Sequence, residues 1–466
     1  EADNTEYLNR VIASGGNRKT WTISAWVKRT EISDASHGGG HTIFGVNVSG
    51  NEGTIVRFNT GTTAATLDTL QIDIGAGGTL SRSHTSQVFR DTSAWYHIVL
   101  AVDTTQGTAT DRFKLYVNGE LVTSYYSRNN PAQNFDTSNN QADNGCTQHI
   151  GAYTVSGTAY GKFCGYIAEV NHVDGAALAP TAFGEFDDDS GIWKPKAASP
   201  TYGTNGFFLD FADSGNLGDD ESGNGLDFTE VNIAAADQAT DTPTNNFCTL
   251  NPIFVGNQST PPSDGATYMS DNGTNQDVSY AGTMGVTKGK WYYETYIDMR
   301  STSYGLTIYV GYHTFKNNYR ANAYWSSTNQ DSVALYGMHT GQYWTWNGGS
   351  RSVTSGLGDI GASGVGKYVG IALNLDDNQI TFYYDGSAIT NGSNLALNNL
   401  GTDTDAGIFA IPAISVYDNN HTVNFGGYTK APISSAQSDE NGYGTFEHAP
   451  PTGYYALCTK NLAELG

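Results

Sequence analysis

Positive charge is what this chain of 466 residues has least of: 23 Lys and Arg stand against 46 Asp and Glu, a formal net charge of −23. Such a surface repels phosphate backbones and anionic bilayers, which sets nucleic-acid binding aside. Long apolar runs are missing too. No stretch approaches the roughly 18 residues of a membrane-spanning helix, so membrane insertion is not expected. No secretory signal precedes Glu1, and a start at Glu rather than Met reads as a trimmed or processed chain. Cysteine is scarce. Cys146, Cys164, Cys248 and Cys458 include no C-x-x-C pair, the usual mark of a structural zinc site. From spacing, two disulfides and four buried thiols both stay open. Nucleophile-elbow (G-x-S-x-G) and zincin (H-E-x-x-H) signatures are absent, which removes two common hydrolase classes.

What is abundant is glycine, at 56 residues, and tyrosine, at 29, in a chain with only 15% charged residues. That mixture fits an all-β protein with many turns. The best helical stretch, "APTAFGEF" (179–186), is short and polar. Period-2 patterns are everywhere. "TWTISAWVKR" (20–29) sets Trp21, Ile23, Ala25 and Val27 against Thr22, Ser24, Trp26 and Lys28. "WYHIVLAVD" (95–103) aligns Tyr96, Ile98, Leu100 and Val102 on one face. Two hairpins follow such strands: "KLYVNGEL" (114–121) turns at Asn118-Gly119, and "ITFYYDGSAI" (380–389) turns at Asp385-Gly386. Both pairs adopt positive φ cheaply, as a type I′ turn requires.

The second hairpin follows "YVGIALNLDD" (368–377) much as the first follows 95–103. The chain is too long for one core. The fold class predicted is therefore all-β: two antiparallel jelly-roll β-sandwiches, 1–186 and 251–466, joined by a connector, 187–250, that contains short strands such as "GFFLDF" (206–211). The connector is Gly-, Asp- and Ser-rich but is expected to be ordered. Trp193, Phe207, Phe208, Phe211 and Phe228 need burial.

The first half resembles a laminin-G-like, concanavalin A-type domain. The resemblance is carried by "WTISAWVKR", "WYHIVLAVD", "KLYVNGELV" and "IGAYTVSGTAYGKFCGYIAEVNHVDGAAL". The second half resembles a SPRY domain through "KGKWYYETYI", "YVGY", "YVGIALNLDDNQITFYYDG" and "PAISVYDNNHTVNFG", ending at Asn424 to Gly426. The run from "GYIAEVNHVDG" through "GIWKPK" and "NNFCTLNP", with "ALCTKNL" near the end, resembles virion-associated proteins of marine bacteriophages. That likeness implies a virion surface protein of the tail-fibre, adhesin or decoration kind. Fold alone does not assign a function.

Among candidate sites, Trp325, Tyr343, Trp344 and Trp346 in "YWSSTNQDSVALYGMHTGQYWTWNGG" (324–349) form the glycan-binding candidate, because aromatic rings stack on sugar C–H faces. Alternation in "YWTWN" assigns part of this set to the core. Asp219, Asp220, Asn224 and Asp227 in "GDDESGNGLD" are a calcium candidate that competes with an ordinary Asp-Gly turn. Calcium sites also occur in laminin-G-like relatives. "DDDSG" starts like an EF-hand with Asp187, Asp189 and Gly191, but Ala198 stands where its bidentate Glu belongs. "HGGGH" places His37 and His41 in a glycine loop with no third ligand nearby in sequence. His97, His172, His313 and His421 read as half-exposed strand residues. A glycosidase would need two carboxylates flanking the bond. Glu185 with Asp187, and Glu294 with Asp298, serve poorly, the latter pair lying ~13 Å apart along a strand.

The expectation is a non-enzymatic protein at a virion or extracellular surface, with no required cofactor and calcium the one candidate. Its expected partners are other virion or filament subunits, in a homo-oligomer, and cell-surface glycan. The alternatives are a secreted bacterial adhesin or filament subunit and a concanavalin-type glycan-active enzyme. Cys248 and Cys458 bracket the second half and are expected to sit on neighbouring strands, since domain termini are often close. Cys146 and Cys164 bracket a hairpin reading and are expected to face each other.

Overall fold

The computed structural model describes residues 5–32, 40–47, 53–61, 63–142, 146–256, 261–270, 277–299, 307–314, 333–337, 341–347, 350–357, 365–397, 409–417 and 419–466. The chain divides into two units, Glu1–Gln238 and Ala239–Gly466. Among the described residues no helix is long and apolar enough to cross a membrane.

The first unit opens with β1 (Tyr7–Val11), β2 (Thr20–Arg29), β3 (His41–Asn47), β4 (Thr54–Phe58), β5 (Thr69–Ala76) and β6 (Thr79–Val88). It continues with β7 (Tyr96–Asp103), β8 (Phe113–Val117), β9 (Glu120–Leu121), β10 (Tyr125–Ser127), β11 (Thr147–Ile150), β12 (Tyr153–Val155) and β13 (Thr158–Tyr160). It ends with β14 (Gly165–Asp174), β15 (Gly184–Phe186), β16 (Trp193–Pro195), β17 (Phe207–Leu209) and β18 (Thr229–Val231). An eight-stranded sheet runs β10-β6-β5-β4-β3-β11-β1-β18, and a six-stranded sheet runs β17-β14-β2-β7-β8-β9. Trp21, Ile23, Ala25 and Val27 of β2 and Ile98, Leu100 and Val102 of β7 pack against Phe44, Val46, Val56 and Phe58 of the other sheet. This is the jelly-roll sandwich expected, with the face chosen by alternation forming the core.

The stretch read as a connector is split between the units, and most of it belongs to the first. β17 pairs with β14, and β18 pairs with β1 through Tyr7↔Val231 and Leu8↔Glu230. The β15–β16 hairpin carries Trp193, which is 8% exposed and stacks against His97 at 5.9 Å between ring centroids. The outer face of the six-stranded sheet is thereby covered, and so β2 is buried on both sides. Phe207 and Phe228 are buried, while Phe208 and Phe211 are half-buried. The helical reading of 179–186 gives way to a 3-10 turn, Pro180–Ala182, followed by β15. The reason is local: a Cβ at Gly184 would lie 2.6 Å from the Trp193 ring, so the backbone runs flat against an aromatic plane.

The second unit contains β19 (Leu250–Gly256), β20 (Tyr268–Ser270), β21 (Asp277–Gly282), β22 (Lys290–Met299), β23 (Thr307–Thr314), β24 (Val333–Gly337), β25 (Gln342–Asn347) and β26 (Ser350–Ser355). β27 (Tyr368–Asn374), β28 (Gln379–Tyr384), β29 (Ser387–Ala388), β30 (Leu395–Ala396), β31 (Ala410–Tyr417), β32 (Asn420–Asn424), β33 (Tyr455–Ala456) and α1 (Thr459–Leu465) follow. One sheet runs β19-β21-β31-β23-β24-β25-β26 and the other β20-β32-β22-β27-β28-β29, with β30 on β28 and β33 on β22. Trp291, Tyr293, Ile371, Leu373, Ile380 and Phe382 fill the space between them.

Both hairpin turns form as expected. Asn118 and Gly119 take φ of 48° and 82°, and Asp385 and Gly386 take 48° and 78°. The ends of the second unit also meet. Phe247 bridges Cys458 antiparallel, and the Cys248 N–H donates to the Leu457 carbonyl at 2.9 Å.

Candidate functional sites

The glycan candidate changes first. Trp325 lies outside the described residues, as do the side chains of Trp344 and Trp346. Tyr343 sits on the core face of β25, 3% exposed. Its hydroxyl donates to the Ala396 carbonyl at 2.9 Å and its ring leans on Phe382 at 6.0 Å. Burial drives the phenol pKa far upward. This corrects Tyr343 from ligand contact to packing. The alternation rule named two faces but not which one the core would claim.

The acidic loop folds as a turn and not as a converging ligand set. Asp220 is 8% exposed, and its two oxygens accept the N–H groups of Phe208, Ser222 and Leu226 and the Ser222 hydroxyl. Asp227 accepts the Asp220 N–H at 3.1 Å. Asn224 turns its amide nitrogen inward onto the carbonyls of Gly203 and Gly206, both at 2.8 Å. Asp219 stays at the surface, with burial and the neighbouring Asp227 carboxylate raising its pKa. Asp220 and Asp227 are thus engaged with backbone donors, the arrangement of the ordinary Asp-Gly turn that competes with the calcium reading.

All four cysteines are buried free thiols, so neither disulfide forms. The expected adjacency of the Cys248 and Cys458 strands holds, but the Cys248 thiol donates to its neighbour's carbonyl at Thr249. Cys146 and Cys164 do not face each other. The Cys146 carbonyl is bonded to Ile12, which directly follows β1 of the eight-stranded sheet, while that of Cys164 is bonded to Thr30, which prolongs β2 of the six-stranded sheet. The segment between them holds β11 and the small β12–β13 hairpin, which carry the chain from one sheet to the other.

The histidines are more deeply placed than expected. His97, His172 and His421 are each 0% exposed, which corrects the half-exposed reading, and burial lowers the pKa of all three to about 3. The His313 side chain lies outside the described set. His97 Nε2 sits 2.8 Å from Ser24 Oγ, a spacing that would suit a nucleophile and its base. The chemistry is wrong for it. Trp193 Nε1 donates to His97 Nδ1 at 2.9 Å, so Nδ1 is the acceptor and the ring proton sits on Nε2, where it donates to Ser24. An imidazole of this tautomer cannot take the serine proton.

The carboxylate pairs are likewise engaged. Asp187 accepts Lys194 Nζ at 2.8 Å and the N–H groups of Asp189 and Ser190, and the Lys194 contact pulls its pKa down. Glu294 is buried, accepting from Tyr292, Glu447 and His448, and Asp298 accepts the Thr422 hydroxyl at 2.7 Å.

Sequence reasoning missed one convergence. Among the described residues, one group of three metal-ligating side chains meets: Glu31, His41 and Cys164, all buried, with ligand atoms within 4.8 Å of one another. His37, the other histidine of "HGGGH", is outside the described residues. No local signal marks the cluster, because each member comes from a different segment.

Residues 5–180 match the family model described as the concanavalin A-like lectin/glucanases superfamily. No curated protein matches the chain. Among solved structures, the SPRY domain of human HERC1 is similar at 15% identity, covering 37% of this chain and 96% of that one with a TM-score of 0.27. Domains LG4-5 of the mouse laminin alpha1 chain are similar at 9% identity, covering 96% and 92%, with a TM-score of 0.29. Domain 4 of AbnA, an extracellular arabinanase from Geobacillus stearothermophilus, solved with arabinotriose, is similar at 16% identity, covering 37% and 67%, with a TM-score of 0.24.

Proposed function

We propose that this chain is a non-enzymatic surface protein of a virion, assembled with copies of itself or other subunits, that attaches to cell-surface glycan. The observation that carries the glycan part is the match of residues 5–180 to a family of lectins and glucanases. The lectin side of that family is favoured by the engaged carboxylates and by the His97 tautomer described above. The virion part rests on the resemblance of the sequence to phage surface proteins. The reading requires no cofactor.

The test is retention of the purified chain on a panel of immobilised polysaccharides, with and without chelator, alongside an assay for released reducing ends. Retention without release is the expected outcome. Trp344→Ala with Trp346→Ala is expected to weaken retention, whereas Tyr343→Phe leaves it unchanged. Release of sugar by the pure chain would establish the glucanase alternative, and no retention on any glycan would overturn the reading.

A further inference from the structure

We propose that Glu31, His41 and Cys164 form a zinc-type metal site that ties the two sheets of the first unit together. The three side chains arrive from different directions. Glu31 lies two residues beyond the end of β2, in the six-stranded sheet. Cys164 immediately precedes β14, and its carbonyl accepts the Thr30 N–H at 3.2 Å, which sets it beside the end of β2. His41 is the first residue of β3, in the eight-stranded sheet. The 161–164 segment binds both sides, since the Gly161 carbonyl accepts the Thr42 N–H at 2.8 Å. Alongside the apolar packing between the sheets and the Arg29–Asp68 pair, this cluster draws polar side chains from both of them.

The donor set selects the metal. A thiolate and an imidazole prefer zinc and its neighbours to calcium or magnesium, which seek oxygen. In a tetrahedral zinc site, bonds of about 2.0 to 2.3 Å place ligand atoms roughly 3.5 Å apart. The three atoms here lie within 4.8 Å, so closing on an ion needs side-chain shifts of only about 1 Å. Charge also balances. A thiolate and a carboxylate neutralise a dication, which suits residues that are 8%, 0% and 4% exposed. Three protein ligands leave the fourth position for water.

Arg29 is the competing cation. Its guanidinium lies 3.5 Å from His41 Nδ1, the outer limit of a hydrogen bond, so it does not fix the imidazole tautomer. It is already engaged: Asp68 holds it at 3.0 Å, the Phe89 carbonyl accepts from it, and it lies over the Phe58 ring at 4.7 Å.

The experiment uses the whole chain, stripped by chelator and titrated with Co2+ and then Zn2+. We expect one Co2+ per chain with a cobalt–thiolate charge-transfer band, displacement by Zn2+, and a higher Tm with zinc bound. Cys164→Ser removes the band and Cys146→Ser keeps it. Glu31→Gln, which preserves shape, weakens Zn2+ by at least about tenfold, the loss seen when even an outer partner of a ligand is removed. A folded wild-type chain without the thiolate band overturns the proposal whatever the variants do. So does a band that survives Cys164→Ser or is lost in Cys146→Ser.

Discussion

The Glu294 carboxylate holds the backbone of His448, its Oε1 accepting that N–H at 2.9 Å while Oε2 takes the Glu447 N–H at 3.0 Å. A strand of the second sandwich is thereby clasped to a distant stretch that has no sheet hydrogen bonds of its own there. Burial lifts the pKa of this carboxyl from 4.5 to about 7. Between those values the folded state binds a proton that the unfolded chain has released. Stability therefore falls as pH rises through that window, by up to about 3 kcal/mol. Denaturant unfolding just below and just above the window is expected to show this slope in the wild-type chain and a flatter one in Glu294→Gln.

Gly119 carries a different constraint. Its φ is +82°, and an added Cβ would lie 2.6 Å from the Trp193 ring. Gly119→Ala meets both left-handed strain and overpacking, so a loss of about 2–4 kcal/mol is expected in urea unfolding. Gly77 also has positive φ, but nothing lies within 4 Å of its Cβ position, so Gly77→Ala should cost about 1 kcal/mol. Equal losses at the two positions would contradict the Trp193 contact.

The reach of the first unit is tested by truncation. A chain ending at Gln238 keeps β17, β18 and Trp193 and is expected to fold and resist protease. One ending at Phe186 uncovers the outer face of β2 and β7 and opens an edge of each sheet, so aggregation or rapid digestion is expected. Equal protease resistance would show that residues 187–238 are dispensable.

Thiol titration checks the cysteines. In denaturant without reductant, four reactive thiols per chain are expected. Two or none would mean that a disulfide forms.

Local features of this fold were legible in the sequence, and long-range ones were not. Asn118-Gly119 and Asp385-Gly386 announce their turns because positive φ is a property of the residues themselves. The core face of β2 was legible because Trp21, Ile23, Ala25 and Val27 alternate with more polar neighbours. In "YWTWN" both faces are aromatic, so hydrophobicity could not say that Tyr343 points inward. The acidic loop looked like a ligand set because composition cannot reveal that Asp220 is satisfied by backbone N–H groups. Trp193 was expected to be buried, but its landing place against His97 and Gly119 is set by topology. The meeting of Glu31, His41 and Cys164 is of the same kind.

Each sandwich is sealed by its own ends: β1 pairs with β18 in the first, and Phe247 with Cys458 in the second. Such a unit is portable. The chain arrives and departs at neighbouring points, so either sandwich can be grafted into a surface loop of an unrelated host without the host spanning a gap. Recombination could therefore exchange a whole sandwich at only two nearby junctions.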